Sequence, residues 1–142
     1  MRARLVELDE RNVAAARQNA PDGVDVVCGD AALLGAYAGA VPADLVLVCG
    51  VFGNIGDDDV QRTIGLLPQL CAPGATVIWT RHRREPDLVP RICSWFEDGG
   101  FERVGVEGDP DVDRFCVGAH RYLGPPRALQ PDERMFTFNR GR

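Results

Sequence analysis

The sequence predicts an α/β fold in which a mostly parallel sheet, with helices on both faces, ends in an antiparallel β-hairpin. The apolar run Leu45 to Cys49 is too short for a helix and suits a strand that is covered on both faces. Strand-like and helix-like patterns then alternate three or four times, which is typical of parallel sheets. Finally, the acidic turn 108–113 joins two strand-like segments, 101–107 and 115–122, and so short a connection makes them antiparallel.

In the first half of the chain, strands and helices follow each other with clear boundary residues. Asp9 is expected to cap the first helix, because a carboxylate accepts hydrogen bonds from the free amides of a first turn. Pro21 to Gly23 ends that helix. The predicted elements are a strand Ala3–Leu8, a helix Glu10–Asn19, a strand Val24–Cys28 and a short helix around Ala31–Ala38.

The central strand leads into a loop with two glycines, Gly50 to Asn54, and then into a helix that Asp57 to Asp59 open. Pro68 predicts a kink or a restart of that helix, because proline lacks the amide hydrogen that the helix needs. The remaining elements are a strand Ala75–Thr80, which ends in Arg81 to Arg84, and a helix Pro86–Asp98 with Gly99 as its left-handed terminator.

Length and composition narrow the class of protein. The 142 residues predict one domain, 1–123, and a tail, 124–142, that packs on it through Met135, Phe136 and Phe138. The net charge of −5 argues against nucleic acid as a partner. The absence of a long apolar run and of a basic leader predicts a cytoplasmic protein without a membrane partner. The five cysteines are odd in number and have no close pair, so we expect small buried side chains and neither a disulfide framework nor a metal site.

In order, the segments VELDERNVAAAR, VVCGDA, ADLVLVCGVFGNI and CAPGATVIWT and the closing hairpin resemble class I (Rossmann-fold) S-adenosylmethionine-dependent methyltransferases. The resemblance runs from about Arg4 to Tyr122. It implies a Rossmann-like sheet, S-adenosylmethionine as the cofactor and a small-molecule methyl acceptor. An antiparallel closing hairpin disfavours a nicotinamide-dependent dehydrogenase, which also uses an acid at the end of its second strand.

The resemblance also assigns cofactor contacts to residues that end strands. Glu7 takes the place of the acid that binds the ribose hydroxyls, and Leu8 that of the apolar residue against adenine. Asp30 takes the place of the acid that binds the adenine amino group, with Ala31 beside it. The segment from Asp44 to Asn54, including Cys49 and Gly50, matches the strand and loop over the methionine part of the cofactor. Taken singly, Glu7 could be a solvated strand end, Asp30 a helix cap, and the glycine loop a simple turn.

The sequence departs from the family at its start. The family's first strand and glycine-rich loop should precede Ala3, and that strand lies between the second and fourth strands of the sheet. Three interpretations remain: an enzyme of which this chain is an N-terminally shortened piece; a gap closed by pairing of Ala3–Leu8 with Ala43–Cys49; or a homodimer, enzymatic or not, that exchanges strands.

The end of the fifth strand of the family, here Thr80 to Arg84, faces the acceptor side. His82 is a candidate base because its pKa lies near neutrality, and a plain surface histidine is the alternative. Arg81 and Arg83 are candidates to bind an acidic group on the acceptor, or else are solvated. Asn54 is a further candidate for the acceptor side, and His120, inside a strand, is expected to be structural.

Overall fold

The computed structural model describes residues 1–108 and 114–139. Within these residues, six strands and three helices follow one another, with 3-10 turns at Leu34–Tyr37 and Leu67–Gln69. The strands are β1 (Ala3–Glu7), β2 (Val24–Cys28), β3 (Ala43–Val48), β4 (Cys71–His82), β5 (Phe101–Glu107) and β6 (Phe115–Tyr122). The helices are α1 (Glu10–Asn19), α2 (Asp57–Leu66) and α3 (Val89–Asp98). The predicted α/β class is confirmed.

Strands β1 and β2 form a parallel pair, with α1 as the connection between them. The backbone amide of Arg11 donates to Asp9 Oδ1 at 2.8 Å, which is the helix cap that the sequence predicts. Val13 on α1 and Val26 on β2 are both buried, so the helix packs on this two-stranded sheet. Glu7 pairs with Cys28, and therefore the carboxyl ends of both strands lie side by side.

The other four strands form a second sheet in the order β3-β4-β6-β5. Strand β3 is parallel to β4, whereas β6 is antiparallel to both β4 and β5. The predicted closing hairpin is therefore present, although the greater part of its turn, 109–113, lies outside the described residues. Strand β4 begins at Cys71, four residues before the predicted start, because Cys71 pairs with Ala43 ahead of a register shift.

Among the described strands, β1 and β3 are not paired with each other. The interpretation in which Ala3–Leu8 pairs with Ala43–Cys49 is therefore wrong, and the described strands form two separate sheets. Strands β1 and β3 each keep one edge whose backbone groups have no strand partner in the described residues.

Leu45 and Leu47 contradict the expectation that the central strand is covered on both faces. They are 52% and 62% exposed, whereas Val48, on the opposite face of β3, is buried. The same uncovered face continues on β6, where Phe115 and Val117 are exposed. The apolar run of β3 thus has the composition of a two-sided strand but only one packed face.

The opposite face of the four-stranded sheet carries the main core. Trp79 of β4 is fully buried and lies 6.1 Å from both Phe52 and Phe96, measured between ring centroids. Helices α2 and α3 cover this face with Val60, Ile64, Ile92 and Phe96, all of which are buried. This core fixes the position of the loop that follows β3, because Phe52 belongs to that loop.

Three helix predictions differ from the structure in detail. Segment Ala31–Ala38 forms only the short 3-10 turn Leu34–Tyr37, because Asp30 folds back onto the amide of Ala32. Helix α3 begins at Val89, whose amide donates to Asp87 Oδ1 at 3.0 Å, and not at Pro86. The left-handed residue after α3 is Gly100, with φ 93°, and not Gly99. The predicted restart at Pro68 is confirmed, since α2 ends at Leu66 and a 3-10 turn follows.

After β6, the C-terminal segment 124–139 runs back across the molecule. It forms single β-bridges from Arg134 to Leu33 and from Phe138 to Ile55. Met135 and Phe136 are buried in the main core, whereas Phe138 is half exposed. The segment thereby connects the turn after β2 with the loop after β3.

The cysteines differ partly from expectation. All five are free, and Cys71, Cys93 and Cys116 are buried as predicted, but Cys28 and Cys49 are exposed. Both exposed thiols lie at the end of a strand, where no helix covers them. Within the described residues, no helix is long and apolar enough to cross a membrane.

Candidate functional site

The two predicted adenosine acids lie at the same end of the two-stranded sheet. Glu7 is the last residue of β1, and Asp30 follows β2 by two residues. Glu7 Oε1 accepts from the backbone amide of Asp9 at 3.1 Å and from Asn12 Nδ2 at 3.4 Å, so this carboxylate is held at the start of α1. One of its two oxygens is left without a described partner.

Asp30 is held by two contacts of different kinds. Its Oδ1 accepts from the backbone amide of Ala32 at 2.9 Å, and its Oδ2 accepts from Arg134 Nη2 at 3.0 Å. Both partners of the ion pair are partly exposed, so the pair contributes at most about 1 kcal/mol of stability. Its main consequence is geometric, because it fixes the orientation of the carboxylate.

The apolar neighbours of the two acids are placed differently. Leu8 is 72% exposed, although it is a large aliphatic side chain at a strand end. Ala31 is half-buried, and its carbonyl accepts from the Tyr37 hydroxyl at 2.6 Å. Burial, with a smaller contribution from Asp30, raises the pKa of Tyr37 to about 12, so the hydroxyl stays a donor.

The loop after β3 is held at both ends by hydrogen bonds. The backbone amide of Gly50 donates to Thr80 Oγ1 at 3.0 Å, and its carbonyl accepts from Asn54 Nδ2 at 2.5 Å. Gly50 has φ 72°, a conformation that other residues rarely adopt. Cys49 and Gly50 are exposed, so a ligand can approach this part of the loop even though the amide and carbonyl of Gly50 are already hydrogen-bonded.

The C-terminal segment brings the two strand ends into one neighbourhood. Arg134 contacts Asp30, and the amide of Asn139 donates to the Asn54 carbonyl at 2.9 Å. Arg134 and Asn139 are five residues apart, which an extended chain spans in at most about 18 Å, and the hydrogen bond adds 2.9 Å, so the Asn54 carbonyl lies within about 21 Å of the backbone of Arg134. One segment therefore links the strand end at Asp30 with the glycine loop, and we call these strand ends and the loop the rim.

His82, the last residue of β4, lies directly against this loop. A Cβ atom built on Gly53 would stand 2.9 Å from His82 Cδ2, so only glycine fits there without movement. Burial, followed by the charges of Arg81 and Arg84, lowers the pKa of His82. The imidazole is therefore neutral near pH 7, and its buried Nδ1 has no hydrogen-bond partner among the described residues.

The two candidate arginines have different surroundings. Arg83 Nε pairs with Asp87 Oδ2 at 3.2 Å, and Arg83 Nη1 donates to the carbonyl of Gly108. Arg81 is only 8% exposed, and its Nε and Nη1 have no partner among the described residues. Arg83 thus has a structural role in joining β4 to the hairpin, whereas Arg81 has unused donors.

A cluster of Cys93, Glu97 and His120 has metal-ligand chemistry, with ligand atoms within 4.8 Å of one another. His120 Nδ1 accepts from Trp79 Nε1 at 3.1 Å, so the proton of the neutral ring is on Nε2, which faces Glu97 Oε2 at 3.2 Å. A ring that binds a metal instead donates from its other nitrogen. The tryptophan therefore favours a structural hydrogen-bond chain here, in agreement with the role expected for His120.

Comparison of the structure with solved structures identifies its fold. NodS, an N-methyltransferase from Bradyrhizobium japonicum WM9, is similar with a TM-score of 0.61 and 13% identity, over 87% of this chain and 74% of NodS. The fibrillarin pre-rRNA processing protein of Methanococcus jannaschii has a TM-score of 0.66 and 16% identity, over 86% of this chain and 56% of that one. An S-adenosylmethionine-dependent methyltransferase from Mesorhizobium loti has a TM-score of 0.63 and 15% identity, over 84% and 80% of the two chains.

The chain has the fold of the class I S-adenosylmethionine-dependent methyltransferases. No protein-family model matches the sequence, and a search of curated proteins found no match. One of the similar NodS structures is a complex with S-adenosyl-L-homocysteine.

Several residues of this methyltransferase-like rim could not be found from the sequence. Thr80 was predicted only as the end of a strand, yet it holds the amide of Gly50. Arg134 and Asn139 lie in the tail, far from Asp30 and Asn54 along the chain. No local signal connects them, because both contacts depend on how the tail folds back.

Proposed function

We propose that this chain is the larger part of an S-adenosylmethionine-dependent methyltransferase that acts on a small-molecule acceptor in the cytoplasm. The single observation that supports this most is that Glu7 and Asp30 lie at neighbouring strand ends and that the C-terminal segment links the strand end at Asp30 with the glycine loop. Ligands of open α/β sheets bind at this edge. The fold alone would not suffice, since one fold serves many functions.

The residues at this rim fit the cofactor in their chemistry. The free oxygen of Glu7 would accept from ribose hydroxyls, and a charge-assisted hydrogen bond of this kind is about twice as strong as a neutral one. The exposed Leu8 would gain cover from the adenine ring, and Asp30 would accept from its amino group beside Ala31. The open backbone at Cys49 and Gly50 would lie along the methionine part.

The bound cofactor would supply an electrophilic methyl group on a positively charged sulfur. The protein then has to orient the acceptor and remove its proton, since methyl transfer depends on in-line positioning. His82 has a lone pair available near pH 7 and lies against Gly53, so it is the base that we propose. Asn54 and Arg81 are the acceptor-side contacts of this proposal, whereas Arg83 is already paired.

The split between β1 and β3 sets a condition on activity. A cofactor that touches both halves needs them held at a fixed distance, and no described strand does so. A strand parallel to both would satisfy the free edges. We therefore propose that the binding-competent form has this position filled.

Calorimetric titration with S-adenosylhomocysteine tests the proposal. It is carried out on this chain and on a version extended upstream by the preceding reading frame. We expect the extended form to bind and the chain alone to bind more weakly or not at all. No binding by the extended form would refute the methyltransferase proposal. The matched control is Glu7→Gln in the extended form, which keeps the shape of the side chain and should weaken binding about tenfold or more.

A second candidate is a non-catalytic module that assembles as a homodimer by exchange of strands. The observation that favours it is that β1 and β3 each have an edge without a strand partner in the described residues, together with the exposed Leu45 and Leu47 of β3. Sedimentation of this chain distinguishes the two candidates. A concentration-dependent dimer that binds no S-adenosylhomocysteine supports the module, whereas a monomer at all concentrations rules it out.

A further inference from the structure

The side chain of Arg81 is buried at the end of β4, and two of its nitrogens have no hydrogen-bond partner among the described residues. Strand β4 directs Ala75, Val77, Trp79 and Arg81 to the packed face of the sheet, and Arg81 is the last of them before the rim. The side chain is 8% exposed. Two of its three nitrogens, Nε and Nη1, are fully enclosed and unpartnered in the part of the chain that the structure describes.

The nearby acids balance the charge of Arg81 but do not use its donors. Asp57 and Asp87 are close enough to favour its charged form, although burial dominates and lowers the pKa. Both oxygens of Asp87 are occupied, one by Arg83 Nε at 3.2 Å and the other by the amide of Val89 at 3.0 Å. Within the described residues neither acid makes a hydrogen bond to Arg81.

Such an arrangement is unusual, because buried polar groups in native proteins are almost always hydrogen-bonded. Arginine always stays charged, so the donors cannot be removed by loss of a proton. The third nitrogen, Nη2, is not among the enclosed atoms, so a partner from outside the chain would reach the guanidinium there and would satisfy the other donors once the side chain turns outward. The place fits an acceptor, since β4 ends beside the loop that carries Gly53 and beside His82.

We propose that Arg81 binds a carboxylate group of the methyl acceptor. This assignment rests on the proposed methyltransferase function and specifies the class of its substrate. A planar guanidinium matches a carboxylate in geometry. A single negative charge also suits the site better than a doubly charged phosphate, because Asp57 and Asp87 already contribute negative charge there. Arg83 is excluded by its existing contacts with Asp87 and Gly108.

The test is nuclear magnetic resonance of arginine side chains in this chain, which requires neither cofactor nor turnover. The Nε–H signal of Arg81 is assigned as the one that is lost in Arg81→Lys. Acetate is then titrated at constant ionic strength, with acetamide as the neutral probe and inorganic phosphate as the dianionic one. We expect a saturable shift of the Arg81 signal with acetate, none with acetamide, and an affinity for phosphate at least threefold weaker than for acetate.

Variants separate a specific site from general charge. In Arg81→Gln the acetate-dependent shifts of the Gly53 and Asn54 backbone amides should fall at least tenfold, whereas Arg127→Gln, an exposed tail arginine, should leave them within twofold. If Arg81→Gln does not fold, Arg81→Lys serves, with a loss of threefold or more. Unchanged shifts in these variants, or no saturable shift in the wild type, would overturn the proposal. Tighter binding of phosphate than of acetate would overturn the carboxylate assignment.

The outcomes for the two proposals are independent. Binding of acetate at Arg81 without binding of S-adenosylhomocysteine by the extended form would leave an anion site and remove the methyltransferase. Binding of S-adenosylhomocysteine without an acetate response at Arg81 would support the methyltransferase and remove the carboxylate site.

Discussion

Phe136 is the residue through which the C-terminal segment is expected to hold the rim together. It is 4% exposed and packs in the main core, three residues before Asn139 contacts the glycine loop. Phe138 lies two residues away and is 50% exposed, and the centroids of the two rings are 5.1 Å apart. The pair therefore offers the same substitution at a buried and at a half-exposed position of one segment.

Truncation of Phe136 to alanine should cost about 3–5 kcal/mol in the free energy of unfolding, the usual range for a fully buried phenylalanine. Phe138→Ala loses about half of that burial and the same aromatic contact, so we expect about 1–2 kcal/mol. A domain of this size has about 5–15 kcal/mol of stability in total. Phe136→Ala should therefore remain folded unless the stability of the protein lies at the lower end of that range.

The measurement is urea unfolding followed by tryptophan fluorescence, combined with hydrogen exchange at the amides of Gly50 and Asn139. With a slope of about 2 kcal/mol per molar urea, Phe136→Ala should lower the midpoint by about 1.5–2.5 M and Phe138→Ala by about 0.5–1 M. Exchange at both amides should accelerate in Phe136→Ala. Equal effects of the two variants, or unchanged exchange in Phe136→Ala, would contradict the role given to the tail.

Three further predictions concern packing, protonation and thiol access. Gly118→Ala should lower the free energy of unfolding by about 1–3 kcal/mol or more, because its Cβ would stand 2.1 Å from the indole of Trp79 on the neighbouring strand. Gly65→Ala in α2, which has open space around it, should raise the free energy of unfolding by about 0.5–1 kcal/mol. The unfolding midpoints of the two variants check both expectations. Burial lowers the pKa of His120 below its ordinary 6.5, so the unfolded chain binds a proton more readily than the folded protein, and the free energy of unfolding should fall as the pH drops through about 6.5. His120→Asn should lose less stability than the wild type between about pH 7.5 and 5.5. An equal loss in the variant and the wild type would contradict this. Iodoacetamide should modify Cys28 and Cys49 in the folded protein and leave the buried Cys71, Cys93 and Cys116 largely unmodified, as measured by mass spectrometry. Equal modification of all five thiols would refute the burial of these three.

Local chemistry predicted the elements of this chain well. The bounds of α1 and β2 agree with the sequence to the residue, because Asp9 and the turn at Pro21 to Gly23 are strong local signals. The start of α2 at Asp57 and its end before Pro68 follow from the same kind of signal. The boundary of α3 was missed because Asp87, and not Pro86, supplies the hydrogen bond at its start.

Relations between distant elements could not be predicted in this way. The apolar run of β3 reads as a strand with two packed faces, and nothing within it shows that Leu45 and Leu47 are left uncovered. Arg134 lies 104 positions from Asp30, so their ion pair has no signature in either neighbourhood. The sequence predicted which candidate residues stand at strand ends, and it did not predict the contacts that the tail makes with them.

The split sheet also has a consequence for cooperativity. The unit β1-α1-β2 has its own small core around Val13 and Val26, and Arg4 ties it to the neighbouring turn through the carbonyls of Ala36 and Ala38. Such a unit can open before the rest of the molecule does. A ligand that contacts both this unit and the four-stranded sheet would hold the two together. Its binding would therefore be observed mainly as slower local opening of roughly the first thirty residues.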